Sequence, residues 1–267
     1  MGAFAGANNL TQSPVSVINI SNVVTDSLQM YWDAARSLSF TSGSTQWNDV
    51  SGNLSKPFAL RANGYGSNGG QALAALPLAD DGGGSLVFDG SNTFGTLGTS
   101  ASPSSNSPYS APSNITICVW MKSTDAGDKG FWSHCSGGPV NLSYGIGGGK
   151  MRYWYYTAPW QILDSNTTVC DGNWKFLVWA KSGTNMVQYI NGSVDKTTTL
   201  VGDVQGPLYS LGSRWGPCNS DSYGAGTNGS GGSIFTGNLS IMMAYNKQLS
   251  QAEVTQNYNS FRCRFGL

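Results

Sequence analysis

The residues able to do covalent chemistry in this chain are few, and their spacing works against it. Cutting a glycosidic bond needs two carboxylates at a fixed separation, one as acid and one as nucleophile or base. The chain has one glutamate, Glu253, and it falls in a helix-capping pattern. Its aspartates, among them Asp80, Asp81, Asp125, Asp128, Asp164, Asp171 and Asp221, stand in turn-like contexts and form no paired motif on a strand. The only histidine, His134, precedes Cys135. Adjacent strand residues point to opposite faces, so these two cannot converge as a nucleophile and its base. The five cysteines (Cys118, Cys135, Cys170, Cys218, Cys263) are scattered without a Cys-x-x-Cys pair, which reads as free, mostly buried thiols and not as a zinc site. Asn219, Asp221 and Gly224 lack the spacing of a calcium loop. Gly145 to Gly149 is followed by neither a helix nor a Lys-Ser/Thr pair, so no phosphate cradle is expected. These residues point to a protein that is not an enzyme and carries no cofactor.

Aromatic rings are the remaining chemistry. Trp132, Tyr153, Trp154, Tyr155, Tyr156, Trp160 and Trp215 are too many to bury on one face of a sheet. In the run Tyr153-Trp154-Tyr155-Tyr156, alternation turns two rings outward. Outward rings can stack on sugars or on a partner protein. Alternatively, a Ser/Pro-rich loop or a neighbouring strand covers them.

The elements that must position these rings are strands. Trp174, Phe176, Val178 and Ala180 alternate with Lys175, Leu177, Trp179 and Lys181. Ser182 to Asn185 makes a turn, and Met186 to Ile190 is the return strand. Asn191-Gly192 then supplies the two positive-φ residues of a type I′ turn, which starts a third strand near Ser193. Further strands are expected at Leu28–Asp33, Trp47–Asn53, Gly84–Gly90, Ile115–Met121, Lys150–Thr157, Leu208–Trp215 and Phe235–Tyr245. Residues 61–84, 98–113 and 216–233 read as loops. Ser250-Gln251-Ala252-Glu253 is a capping box, flanked by a Leu249/Val254 staple, and opens one short C-terminal helix. About ten to twelve strands with one helix predict an all-β, two-sheet antiparallel jelly-roll sandwich. Residues 1–27 read as an extended N-terminal arm, either pairing with a neighbouring chain or forming a terminal strand or tail. Residues 28–267 form the sandwich.

Composition narrows the partners. Charged residues make up 10% of the 267 residues and the formal net charge is zero, which argues against nucleic acid. No run approaches the ~18 apolar residues of a membrane span, and the first residues do not resemble a signal peptide. Synthesis in a cytoplasm without membrane insertion is therefore expected. So poorly charged a surface suits life inside a larger assembly.

Five segments, in order, resemble the concanavalin A-like superfamily, in its laminin-G-like and pentraxin-like jelly rolls of tailed-phage structural proteins. They are Met30–Ala35 with Trp47–Asn53, Gly84–Gly90, Ile115–Met121, Trp174–Gly192 and Phe235–Tyr258. The resemblance implies a virion protein, decorating a capsid or associated with a tail or fibre. Its expected partners are other virion proteins, a homo-oligomer and host glycans. The alternative it implies is a carbohydrate-binding module for host cell-surface glycans. Tyr153, Trp154, Tyr155, Trp160, Trp132 and Trp215 are the candidate glycan-binding residues. The family often holds calcium at the sandwich rim, but Thr93 stands where many relatives carry an acid. Asp89, the weak candidate ligand, then reads as a turn-forming residue.

Overall fold

The structure, a computed structural model, describes residues 22–53, 57–61, 73–79, 84–91, 93–97, 110–133, 142–207, 210–212 and 234–267. In chain order the strands are β1 (Leu28–Asp33), β2 (Gln46–Trp47), β3 (Phe58–Arg61), β4 (Leu78–Ala79), β5 (Ser85–Asp89), β6 (Phe94–Leu97), β7 (Ser110–Ala111), β8 (Asn114–Lys122) and β9 (Lys129–Ser133). They continue with β10 (Leu142–Gly147), β11 (Lys150–Tyr156), β12 (Trp160–Thr168), β13 (Lys175–Ser182), β14 (Asn185–Ile190), β15 (Ser193–Thr199), β16 (Gly206–Pro207), β17 (Ser210–Leu211) and β18 (Thr236–Tyr245). Helix α1 (Gln251–Phe261) runs into a 3₁₀ turn at Arg262–Phe265.

Two antiparallel sheets hold most of these strands. The first runs β15-β14-β13-β8-β18-β5-β4, with β1 also paired to β18; the second runs β12-β11-β10-β9-β17-β6-β3-β2. The all-β sandwich with one short C-terminal helix is therefore as expected from the sequence. The Asn191-Gly192 turn has φ of 50° and 81° at its two central residues and joins β14 to β15. Ser250 and Glu253 form the reciprocal capping box, and Leu249 and Val254 are both buried.

The alternation along β13 separates two apolar layers. Leu177 and Trp179 face the second sheet, as do Ile117 and Val119 of β8 and Trp32 of β1, meeting Phe58, Phe131, Trp132, Tyr144 and Tyr153. Trp132 stands edge-on to Trp32 at 5.7 Å and to Phe58 at 6.2 Å. The opposite face of the first sheet is apolar too. Cys118, Trp120, Phe176, Val178, Ile241 and Tyr245 pack beneath α1 and the 3₁₀ turn through Val254, Phe261 and Phe265. The Trp120 ring stacks on Phe265 at 4.1 Å and on Tyr258 at 5.8 Å.

Two ties hold this second layer shut. Arg264 is 5% exposed and pairs with the fully buried Asp33 at 2.7 Å; it also donates to Gly84 O and Ser240 Oγ. Residues 22–27, grouped with the arm on sequence grounds, pack onto the helix: Val23 and Val24 are buried, Val24 N donates to Asn257 Oδ1, and Gln256 and Ser260 donate to Asn22 O. Residues 1–21 lie outside the described residues.

Candidate functional site

The outer face of the second sheet is read from the register of β10, β11 and β12. Tyr153 and Tyr155 point into the core between the sheets, so Arg152, Trp154 and Tyr156 point away from it. Their partners on β12 are Asp164, Ile162 and Trp160, respectively, and on β10 Arg152 faces Gly145 and Trp154 faces Ser143. The outer face thus carries three cross-strand rows: Tyr156–Trp160, Trp154–Ile162 and Arg152–Asp164.

The first two rows form an apolar shelf at the edge of the sheet. Trp160 is 38% exposed and Ile162 55% exposed, while Tyr156 is half-buried. The Trp160 and Tyr156 rings lie 5.4 Å apart with planes at 62°, an edge-to-face pair that holds both rings in place. Ala158 and Pro159 at the adjoining hairpin tip are also exposed.

The third row closes the shelf with charge. Arg152 donates from Nε and Nη2 to the two oxygens of Asp164 and from Nη1 to Asp128 at 2.8 Å. Its guanidinium also lies 5.6 Å from the Trp154 ring centroid. The hydrogen bond to Asp164 is the main cause holding the Arg152 pKa above its ordinary value. Room for this cluster comes from glycine. A Cβ at Gly147 would sit 2.7 Å from Arg152 Cζ, and one at Gly145 would sit 1.9 Å from the carbonyl oxygen of Lys129. The edge beyond is tied to the first sheet, because Asp195 accepts from the Asn166 and Thr167 N–H groups and Lys196 donates to Asp164 O.

The candidate residues named from sequence divide accordingly. Trp160 is exposed on the shelf. Trp132, Tyr153 and Tyr155 are buried between the sheets, so their expected exposure is corrected: the inter-sheet core is wide enough to take them. Trp154 does turn outward, as the alternation requires, but is only 1% exposed and offers no free ring. Trp215, His134, Cys135 and Cys218 lie outside the described residues. Asp89 Oδ1 accepts from Ser91 N, Thr93 N and Thr93 Oγ1, the bonds of a turn-forming aspartate. Among the described residues, no group of three or more His, Cys, Asp or Glu could hold a metal ion. Tyr156 was within the aromatic surplus, Ile162 and Arg152 were missed, and Asp164, read from the sequence as a turn residue, stands on β12 opposite Arg152. The run Trp160-Gln161-Ile162-Leu163-Asp164 does alternate, which is the signal that could have found them.

The chain belongs to the concanavalin A-like lectin/glucanases superfamily, whose family model matches residues 94–255. No curated protein matches the sequence. Solved structures share the fold. Domain 4 of a GH43 extracellular arabinanase from Geobacillus stearothermophilus, in complex with arabinotriose, superposes with a TM-score of 0.58 at 16% identity, covering 86% of this chain and 98% of that one. The binding domain of Paraclostridial Mosquitocidal Protein 1 gives 0.58 at 14% identity, covering 89% and 53%. A botulinum neurotoxin type C structure, whose cell entry depends on two ganglioside molecules, gives 0.56 at 12% identity, covering 91% and 53%. The chain thus spans the whole arabinanase domain but about half of each toxin chain.

Proposed function

We propose that this protein is a non-enzymatic attachment module that takes carbohydrate on the outer face of its second sheet. The observation that carries this reading is the Trp160–Tyr156 pair, a fixed aromatic edge exposed beside Ile162 and the Arg152–Asp164 row. A sugar's C–H face packs on such a ring, and its hydroxyls can bond the carboxylates beside it. The arabinotriose complex of one fold relative and the ganglioside-dependent cell entry of another support the ligand class. The carboxylates of the site favour binding over cleavage: Asp128 and Asp164 both serve Arg152, and Glu253 is bound to Ser250 and Lys247 at the helix cap. A glycan array that includes host lipopolysaccharide tests the reading. Binding to one glycan class supports it; a blank array with folded protein defeats it.

A second reading places the same module in a tailed-phage virion, on a capsid or a tail or fibre, as a homo-oligomer among other virion proteins. One observation favours it beyond the low charge. Asn22, the first described residue, lies against α1 on the outer side of the first sheet, whereas the shelf faces out from the second sheet. A subunit held through its N-terminal residues would present the shelf outward. Size-exclusion chromatography with light scattering, on the full chain and on one starting at Asn22, tests the arm. An oligomer that becomes monomeric supports assembly through residues 1–21; two monomers count against it. Mass spectrometry of purified phage particles tests the location, and absence from them defeats it.

A further inference from the structure

Gln188 is out of place by every rule of core composition. It is fully buried on β14, between Met186 and Ile190, which pack in the core between the sheets. Its cross-strand partners are Trp179 on β13 and Lys196 on β15. Among the described residues, neither Oε1 nor Nε2 of Gln188 has a hydrogen-bond partner, and Nε1 of Trp179 has none. From the second sheet, Tyr144 stands edge-on to Trp179 at 5.7 Å, and Tyr153 lies 5.0 Å from Tyr144. Both hydroxyls are buried and lie against each other, and burial pushes both phenols above their ordinary pKa. Two residues along β13 from Trp179, Lys181 is fully buried, pairs with Asp203 and donates to Ser113 O at 3.0 Å. The Asp203 side chain is 26% exposed, so this ion pair stands between the polar cluster and solvent.

A buried amide with an unmet donor and an unmet acceptor is costly, and interiors meet such groups with protein or with ordered water. The groups gathered here suit water: an amide oxygen that accepts, an amide N–H₂ and an indole N–H that donate, and two hydroxyls that do both. A buried water needs two to four such partners. The charged groups beside it are already paired, Asp203 with Lys181 and Lys196 with Asp164 O, which leaves the neutral groups to water.

We propose that ordered water occupies the interior between β13–β14 and β10–β11, bridging the Gln188 amide to the Trp179 indole N–H and the Tyr144 and Tyr153 hydroxyls. The bridge joins the two sheets through hydrogen bonds that no side-chain pair makes directly. Gln188→Met keeps the side-chain volume and removes both amide groups. If water is bridged there, the variant loses a satisfied network and its Tm falls by about 3 °C, the scale of a lost hydrogen bond in a domain of this size. If the amide is an orphan, the variant relieves it and Tm rises, which overturns the proposal. A high-resolution crystal structure of the unmodified protein decides independently of how the variant folds. Solvent density within hydrogen-bond distance of Gln188 and of at least one of Trp179, Tyr144 and Tyr153 supports the proposal; a dry site refutes it.

Discussion

Replacing Arg264 by methionine tests whether the C-terminal turn is held by charge or merely by packing. The arginine donates from Nη1 to Asp33 Oδ1 at 2.7 Å, and from Nη2 to Gly84 O at 2.9 Å and Ser240 Oγ at 2.6 Å. Methionine retains much of the apolar stem, so little packing is lost. What remains is a carboxylate with 0% exposure, supported by the Tyr31 hydroxyl and the Ala35 N–H but stripped of this cation. Removing one member of a buried pair typically costs about 3–5 kcal/mol, because the other is left buried and uncompensated. Against a typical total of about 5–15 kcal/mol for a domain, that is a large fraction. Urea unfolding followed by tryptophan fluorescence measures it as a lower midpoint at unchanged slope. Adding Asp33→Asn to Arg264→Met removes the stranded charge, so the double variant should recover part of the loss, with a coupling of about 1 kcal/mol or more. A loss under about 1 kcal/mol for Arg264→Met, or strict additivity in the double variant, would refute the reasoning.

Other expectations follow from the same geometry. Gly145→Ala drives its Cβ to 1.9 Å from the backbone oxygen of Lys129. Because backbone cannot swing aside, destabilisation of about 3 kcal/mol, the upper end for overpacking, is expected in the same unfolding assay. Partial burial pulls the Asp203 carboxyl upward, but hydrogen bonds from Lys181 and Ser113 and the Lys181 charge together outweigh it and hold it below the ordinary carboxylate value. A depressed carboxylate stabilises the fold above its unfolded pKa, about 3.9, and that contribution is lost as pH falls through the lower folded value. Thermal scans should therefore show this contribution constant from pH 7 to about 5 and lost in the acid limb below about pH 4; Asp203→Asn should flatten that limb. Ser250→Ala removes the hydroxyl that caps Glu253 N and should cost about 1 kcal/mol, read as a lower urea midpoint.

Much of the fold was legible because its signals are local. The Asn191-Gly192 turn, the alternation along β13 and the Ser250–Glu253 box each declare themselves within a few residues. Which face of β13 meets the other sheet was not legible, since Phe176 and Val178 are as apolar as Leu177 and Trp179 and both faces are covered. That double covering also explains the misread ring surplus. A sandwich is short of room for so many rings only when the second layer, under α1, is left out; there Trp120, Phe176 and Phe265 stack together, which leaves the inter-sheet core for Trp132, Tyr153 and Tyr155. Strand β12 was hidden by Pro159 just before its start and by the polar run from Asp164 to Thr168, so Ile162 escaped notice and Asp164 read as a turn residue. The Arg264–Asp33 tie spans 231 positions and leaves no local trace.

The central claim is that the exposed ring of Trp160 takes a sugar. The direct test is calorimetric titration of an array-identified glycan into the unmodified protein and into Trp160→Ala. The ring is 38% exposed at a sheet edge, so its removal should leave Tm nearly unchanged. The affinity of Trp160→Ala should be at least about tenfold weaker, the loss of roughly 1.4 kcal/mol of ring contact. Equal affinity in the two proteins would contradict it, because the glycan would then be held somewhere other than this shelf.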